Sequence, residues 1–293
     1  MKIKSLLCTG LLICLASFAF GQKTDPYSPD SKKPKAPKGM KLVWNDEFNK
    51  GAKPDTAFWR YERGFVRNQE LQWYQEDNAT VGNGVLHIEG KREKVKNPNY
   101  KAGSPRWNQS REYAEYTSSS IQTRGKKSWK FGIFEIRARI DTAMGSWPAI
   151  WTLGTSGGWP AGGEIDIMEF YRKNNEPILL SNVACQGTNR STKWHTEIRP
   201  LTDFTSKDPD WVNKFHLWKM EWDSLSIKLY LDDYLINTTM LTETINPDGR
   251  NPFVQPQYIL LNLALGANGG DPSKTPFPVN YEVDYVRVYQ KVK

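Results

Sequence analysis

Gly163-Glu164-Ile165-Asp166-Ile167-Met168-Glu169-Phe170 carries three carboxylates in six residues, interleaved with apolar side chains. Successive side chains of a strand face opposite sides. Glu164 and Asp166 therefore share one face, and Ile165 and Ile167 point into a core. Strict alternation would place Met168 beside the acids and sink Glu169 into the core. A lone buried carboxylate is costly. A β-bulge at Ile167-Met168 removes the conflict, because one extra residue returns Glu169 to the acidic face. The stretch reads as a half-buried strand, bent at a bulge, with acids on its open side.

The same alternation recurs on either side. Val85-Leu86-His87-Ile88-Glu89 reads as a strand, as do Gly132 to Ile140, Leu217 to Trp222, Ser226 to Leu231 and Glu282 to Tyr289. These runs hold β-branched and aromatic residues and end at Gly, Pro, Asn or Asp. Asp232-Asp233 sits where a hairpin turn is expected. No long segment with helical periodicity competes. Many short strands in about 250 residues predict an all-β chain folded as a two-sheet antiparallel β-sandwich or jelly roll.

The 293-residue chain divides into three. Residues 1–21 have the form of a signal peptide: Lys2 and Lys4, an apolar run from Leu6 to Phe20, and small residues at Ala19 and Gly21. The run is too short for a stable spanning helix, and no later segment approaches one. Residues 22–39 are rich in Pro, Lys, Ser and Asp and predict a disordered linker. Residues 40–293 form the domain that carries the chemistry. A secreted or periplasmic protein is expected, with cell-surface association compatible with the composition. Cys185 is the only cysteine beyond the signal, which rules out an intrachain disulfide and reads as a buried small hydrophobe. The net charge of +8 falls to +6 when Lys2 and Lys4 leave. A basic protein suits acidic polymers. The absence of a dense Lys/Arg block interleaved with aromatics argues against nucleic acid. Twelve Trp are many for this length, and indole stacks on the C–H faces of sugar rings.

The acids can then be given roles. Glu164 and Glu169 lie about 13 Å apart at Cα on a bulged strand. Side chains leaning inward on a concave sheet close that to roughly 5–6 Å, the separation of a retaining glycosidase. Three close carboxylates cannot all ionise freely, so at least one pKa is raised. Glu164 is assigned as nucleophile, Glu169 as the proton-holding acid/base, and Asp166 as the group between them that modulates Glu164. An acid-decorated edge strand gives no reason for the bulge register. A Ca²⁺ site is the other reading of clustered carboxylates. Neither accounts for the tryptophans.

At these residues the chain resembles glycoside hydrolase family 16, in the laminarinase and lichenase branch with a bulged Glu-Ile-Asp-Ile-Met-Glu strand. The resemblance runs from Leu42 to Tyr289. It includes Trp44-Asn45-Asp46-Glu47-Phe48, Arg67 to Tyr74, Gly145-Ser146-Trp147-Pro148-Ala149-Ile150-Trp151, Trp159-Pro160 and Asp284 to Tyr289. It implies a concanavalin-like jelly roll with a concave glycan-binding cleft and double-displacement retention. It implies Asn68 as a sugar hydrogen-bonder and Trp147, Trp151 and Trp159 as cleft lining. It implies a structural Ca²⁺ at Glu47 and Asp284, with no cofactor for catalysis. Ser119, Ser120 and Ile121 stand where many relatives carry an arginine. Ser181 to Cys185 replaces a strand that commonly holds a histidine, and Trp194 and His195 are expected in the cleft instead. Arg106 to Glu115 reads as a polar insert near it.

The function expected is a monomeric endo-β-1,3(4)-glucanase acting on laminarin-type or mixed-linkage β-glucan. An endo-β-galactanase acting on algal galactans or mucin O-glycans shares the chemistry, and Arg and Lys on the cleft wall would favour anionic forms. A non-catalytic lectin and a transglycosylase are the other readings.

Overall fold

The computed structural model describes residues 24–292, so the signal peptide expected over 1–21 lies outside the described residues. Two antiparallel sheets stack face to face. The first runs Tyr234–Met240, Ser226–Leu231, His216–Trp222, Gly132–Ile140, Val279–Lys291, Val85–Gly90, Ala79–Gly82, with Met40–Asp46 also paired to Val279–Lys291. The second runs Thr192–Pro200, Glu176–Gln186, Glu164–Lys173, Ser146–Gly154, Gln257–Leu265, Ser120–Gln122, Arg60–Tyr61. This is the expected antiparallel jelly roll. Helices among the described residues are single turns, such as Trp107–Ser110 and Thr202–Thr205.

One apolar layer joins the sheets. Phe134, Ile136 and Ala138 enter it from the first sheet, and Ile165, Ile167, Met168 and Phe170 from the second. Each of the larger side chains among them contributes about 1.5–3 kcal/mol by leaving water. Cys185 lies fully buried in the same layer. The five strands read from alternation all fall in the first sheet, and Asp232-Asp233 forms the turn between Leu231 and Tyr234. Gln257–Leu265 is buried at every position, so it shows no alternation to read.

The expected disordered linker is corrected by its described part. From residue 24 it forms no regular element, yet it lies as a strap against the outer face of the first sheet. Arg137 donates to the carbonyls of Ser28 (2.9 Å) and Asp25 (2.7 Å). The Asp30 N–H donates to Asp284 Oδ2 at 3.0 Å, and the Phe215 N–H to the Pro26 carbonyl at 2.7 Å. The strap is held through its main chain by arginine and carboxylate partners, and composition does not record such bonds. No helix among the described residues is long and apolar enough to cross a membrane.

Candidate active site

The acid strand, Glu164–Lys173, lies third from one edge of the second sheet. Its approach is fixed by Gly163. That residue sits at φ +78°, and a Cβ there would meet Pro252 and Phe253 at 2.9 Å. The bulge falls where the alternation argument requires it. Asp166 pairs with Trp151 while Met168 pairs with Ile150, leaving Ile167 extra. Ile167 and Met168 both turn into the core. Glu164, Asp166 and Glu169 therefore face the same side.

That side is a cavity of 1080 Å³. Trp147, Trp151, Trp159, Trp194 and Asn68 line it together with Glu164 and Glu169. Trp147 Nε1 donates to Glu169 Oε1 at 3.0 Å, and Trp159 Nε1 donates to Glu164 Oε2. Trp151 is anchored to Asn262 Oδ1 at 2.7 Å. Asn68 adopts φ +55° and donates to Glu70 Oε1 at 3.2 Å.

His195 is a correction. It pairs with the core residue Val183, whereas its neighbours Trp194 and Thr196 pair with Ala184 and Asn182 on the cleft side. Adjacent strand residues face opposite ways. Trp194 therefore reaches the cleft and His195 turns away, with burial holding its pKa down.

The calcium expectation also changes. Arg287 donates to both carboxylate oxygens of Glu47, at 2.9 and 2.7 Å. Arg137 meets Asp284 at 2.6 Å, nearly out of contact with solvent. Two guanidinium groups and strap carbonyls fill the surroundings of these acids. Ca²⁺ takes six to eight oxygen ligands, and here oxygens of both acids are bonded to guanidinium groups, whose charge repels a cation. The residues present do not fit the ion.

Several cleft residues carry no signal in the sequence reading. Asn182 donates to Asp166 Oδ2 at 3.0 Å and to Glu169 Oε2 at 2.9 Å, bridging the two acids from the neighbouring strand. Arg67 lies 5.0 Å over Trp151 and is held by Glu62. Tyr171 packs edge-on against Trp147. Trp107, on the polar insert, lines the same cavity, and Arg111 ties the insert to the Glu70 carbonyl at 2.6 Å. A tryptophan in a polar insert was a readable cue, whereas Asn182 depends on strand pairing alone.

The electrostatics separate the acids. Burial drives the Asp166 carboxyl well above its ordinary range, and the charges of Glu164 and Glu169 push it further. Both effects favour the protonated form of Asp166. Burial also raises Glu164, but hydrogen bonds from Asp166 and Trp159 oppose the rise. Burial, followed by the Glu164 charge, pushes Glu169 up to about 7. Burial thus raises both glutamates, but hydrogen bonds work toward the Glu164 anion while the Glu164 charge works toward a proton on Glu169 near neutral pH, the division of labour that glycoside cleavage requires.

An antiparallel jelly roll with a tryptophan-lined cleft over split carboxylates defines a glycoside hydrolase. The chain belongs to glycosyl hydrolases family 16, whose model matches residues 67–287. It is 37% identical over 269 residues to a β-glucanase of Rhodothermus marinus, covering 86% of each chain. Its fold matches a structure described with endo-acting O-glycanases of the human gut microbiota that initiate mucin breakdown. The TM-score is 0.79 at 34% identity, over 89% of this chain and 94% of the other. It also matches the laminarinase catalytic domain from Thermotoga maritima, with TM-score 0.71 and 30% identity, over 87% of this chain and 99% of that one. The protein therefore hydrolyses O-glycosyl bonds.

Proposed function

We propose that the protein is a retaining endo-β-1,3(4)-glucanase acting on laminarin-type or mixed-linkage β-glucan. The observation that carries the mechanism is that Glu164 and Glu169 share one tryptophan-lined cleft, with hydrogen bonds opposing the rise of Glu164 and the Glu164 charge adding to that of Glu169. Glu164 attacks the anomeric carbon as Glu169 protonates the departing glycosidic oxygen, which gives a glycosyl-enzyme ester. Glu169, now ionised, takes a proton from water as that water attacks the same carbon and frees Glu164. Asp166 donates to Glu164 and keeps it anionic before attack. Trp147 and Asn182 orient Glu169. Asn68, Trp151, Trp159 and Trp194 hold sugar rings. Trp159 and Trp194 are 59% and 46% exposed, so their rings are open to an incoming sugar chain. The β-glucanase and laminarinase relatives support the glucan. The pattern of residues 1–21 supports export, and we read the exported chain as a monomer.

A second reading keeps the mechanism and changes the glycan to a β-galactan or mucin O-glycan. The likeness to the O-glycanase structure favours it. Product analysis on laminarin, mixed-linkage β-glucan, agarose, carrageenan and mucin O-glycans decides between them, with Glu164→Gln run beside wild type. Oligosaccharides from the glucans, absent with the variant, are the expected result. Products from galactan or mucin alone would transfer the protein to the second reading. Turnover retained in the variant would overturn Glu164 as nucleophile.

A further inference from the structure

A second cavity of 690 Å³ opens at the far edge of the cleft sheet, lined by Arg60, Arg63, Arg124 and Lys126 with Glu62 and Glu76. The strand pairings show which face it occupies. Arg60 pairs with Gln122, Gln122 with Leu260, Leu260 with Trp151, and Trp151 with Asp166. Side chains paired directly across strands share a face. Arg60 therefore projects from the same surface as the acids, four strands away, or about 19 Å at the usual strand spacing. The Arg124 guanidinium lies 5.7 Å over the Tyr258 ring, and Tyr258 packs with Trp151 and Leu260 beneath the cleft. The Glu62–Arg67 ion pair links the two cavities, Glu62 lining one and Arg67 the other.

The charges here do not cancel. Glu76 is engaged by Arg63, and Glu62 by Arg67 and by the Ser120 hydroxyl at 2.7 Å. Among the described residues Arg60, Arg124 and Lys126 form no ion pair, and all three are exposed. Three cations outside any ion pair, one of them over an aromatic ring, on the same face as a glycan cleft, make a receptor for negative charge on a sugar. Arginine suits this role because its planar fork donates two parallel bonds to a sulfate or carboxylate.

We propose that this cavity is a distal subsite for an anionic substituent on the glycan, a sulfate ester or a sugar carboxylate, gripped by Arg60 and Arg124 several rings from the bond that is cut. The inference rests on the endo-hydrolase reading above. It adds that, among the glycans cut at that site, chains carrying charge away from the cleavage point are preferred over their neutral forms.

The test compares kcat/KM on neutral laminarin, O-sulfated laminarin and carboxymethylated laminarin at low and high NaCl. The charged-to-neutral ratio should exceed one for wild type. In Arg60→Ala/Arg124→Ala it should fall about ten-fold, the loss expected when two solvent-exposed ionic contacts go. Lys41→Ala/Lys228→Ala removes equal charge from the other sheet and should leave the ratio intact. Preference for the sulfated or the carboxymethylated polymer identifies the substituent. A wild-type ratio of one or less would overturn the subsite. So would a ratio unmoved in the arginine variant, or one that falls equally in the lysine control. If wild type releases nothing from laminarin, the β-glucan reading fails. The subsite is then decided by binding of Glu164→Gln, with and without the arginine changes, to sulfated and desulfated mucin glycans. Binding that ignores both sulfate and the arginines overturns it.

Discussion

At the scale of single residues, the acids divide because their surroundings differ. Glu169 is pushed up to about 7, first by burial and then by the Glu164 charge. As the acid it works only while protonated, so kcat/KM should fall as pH rises through about 7, with the alkaline limb of the profile there. An alkaline limb far above this would deny Glu169 the role. In Glu164→Gln the neighbouring charge is gone, and the Glu169 titration, followed by carboxyl infrared absorption, should move downward. Stability carries the same signature. A carboxyl whose folded pKa lies above its unfolded one favours the fold below the unfolded pKa, and that contribution is lost as pH rises through about 7. Glu169→Gln cannot ionise. Its melting temperature relative to wild type should therefore climb between about pH 5 and pH 8. A flat difference across that range would contradict the raised pKa. Glu164 and Glu169 were legible in the sequence because apolar residues on either side fixed their register. Asn182 was not, because its position beside both acids exists only once two strands pair.

Among the elements, legibility followed solvent. Strands of the first sheet have one wet face, so their alternation survives in the sequence, as in His216–Trp222. Gln257–Leu265 and most of Glu176–Gln186 are buried on both faces and read as featureless apolar runs. The acid strand was the exception in the second sheet, since its chemistry restores the contrast between faces. Its entry is the weak point. Gly163 combines φ +78° with a Cβ direction blocked by Pro252 and Phe253. Gly163→Ala should cost about 1–3 kcal/mol from backbone strain alone, and melting should fall by several degrees. The displaced strand start carries Glu164, so kcat on laminarin should drop more steeply than KM changes. Wild-type kcat in a folded Gly163→Ala protein would show that the turn tolerates a side chain and does not position the nucleophile.

For the whole molecule, arginines close the outer face of the first sheet. Arg287 covers Glu47, Arg137 covers Asp284, and strap carbonyls cover Arg137 in turn. The strap was misread in the sequence because it has almost nothing apolar to bury, and its attachment uses main-chain groups that every residue possesses. An arginine at each acid does the work of a divalent ion by supplying positive charge, but it does so covalently tied to the fold. Two consequences separate this arrangement from a calcium site. Chelator and added Ca²⁺ should both leave the melting temperature unmoved, because an ion would have to displace a guanidinium from each acid. Deleting residues 24–32 should lower melting by a few degrees, since it strips the Arg137–Asp284 pair of its carbonyl and N–H partners. The same deletion should leave laminarin turnover near wild type, because the strap lies on the sheet opposite the cleft. Stabilisation by Ca²⁺ in the full chain would mean that the acids release their arginines in solution. Loss of turnover in a still-folded deletion would mean that the two sheets are coupled through the core, and that the strap belongs to the catalytic unit.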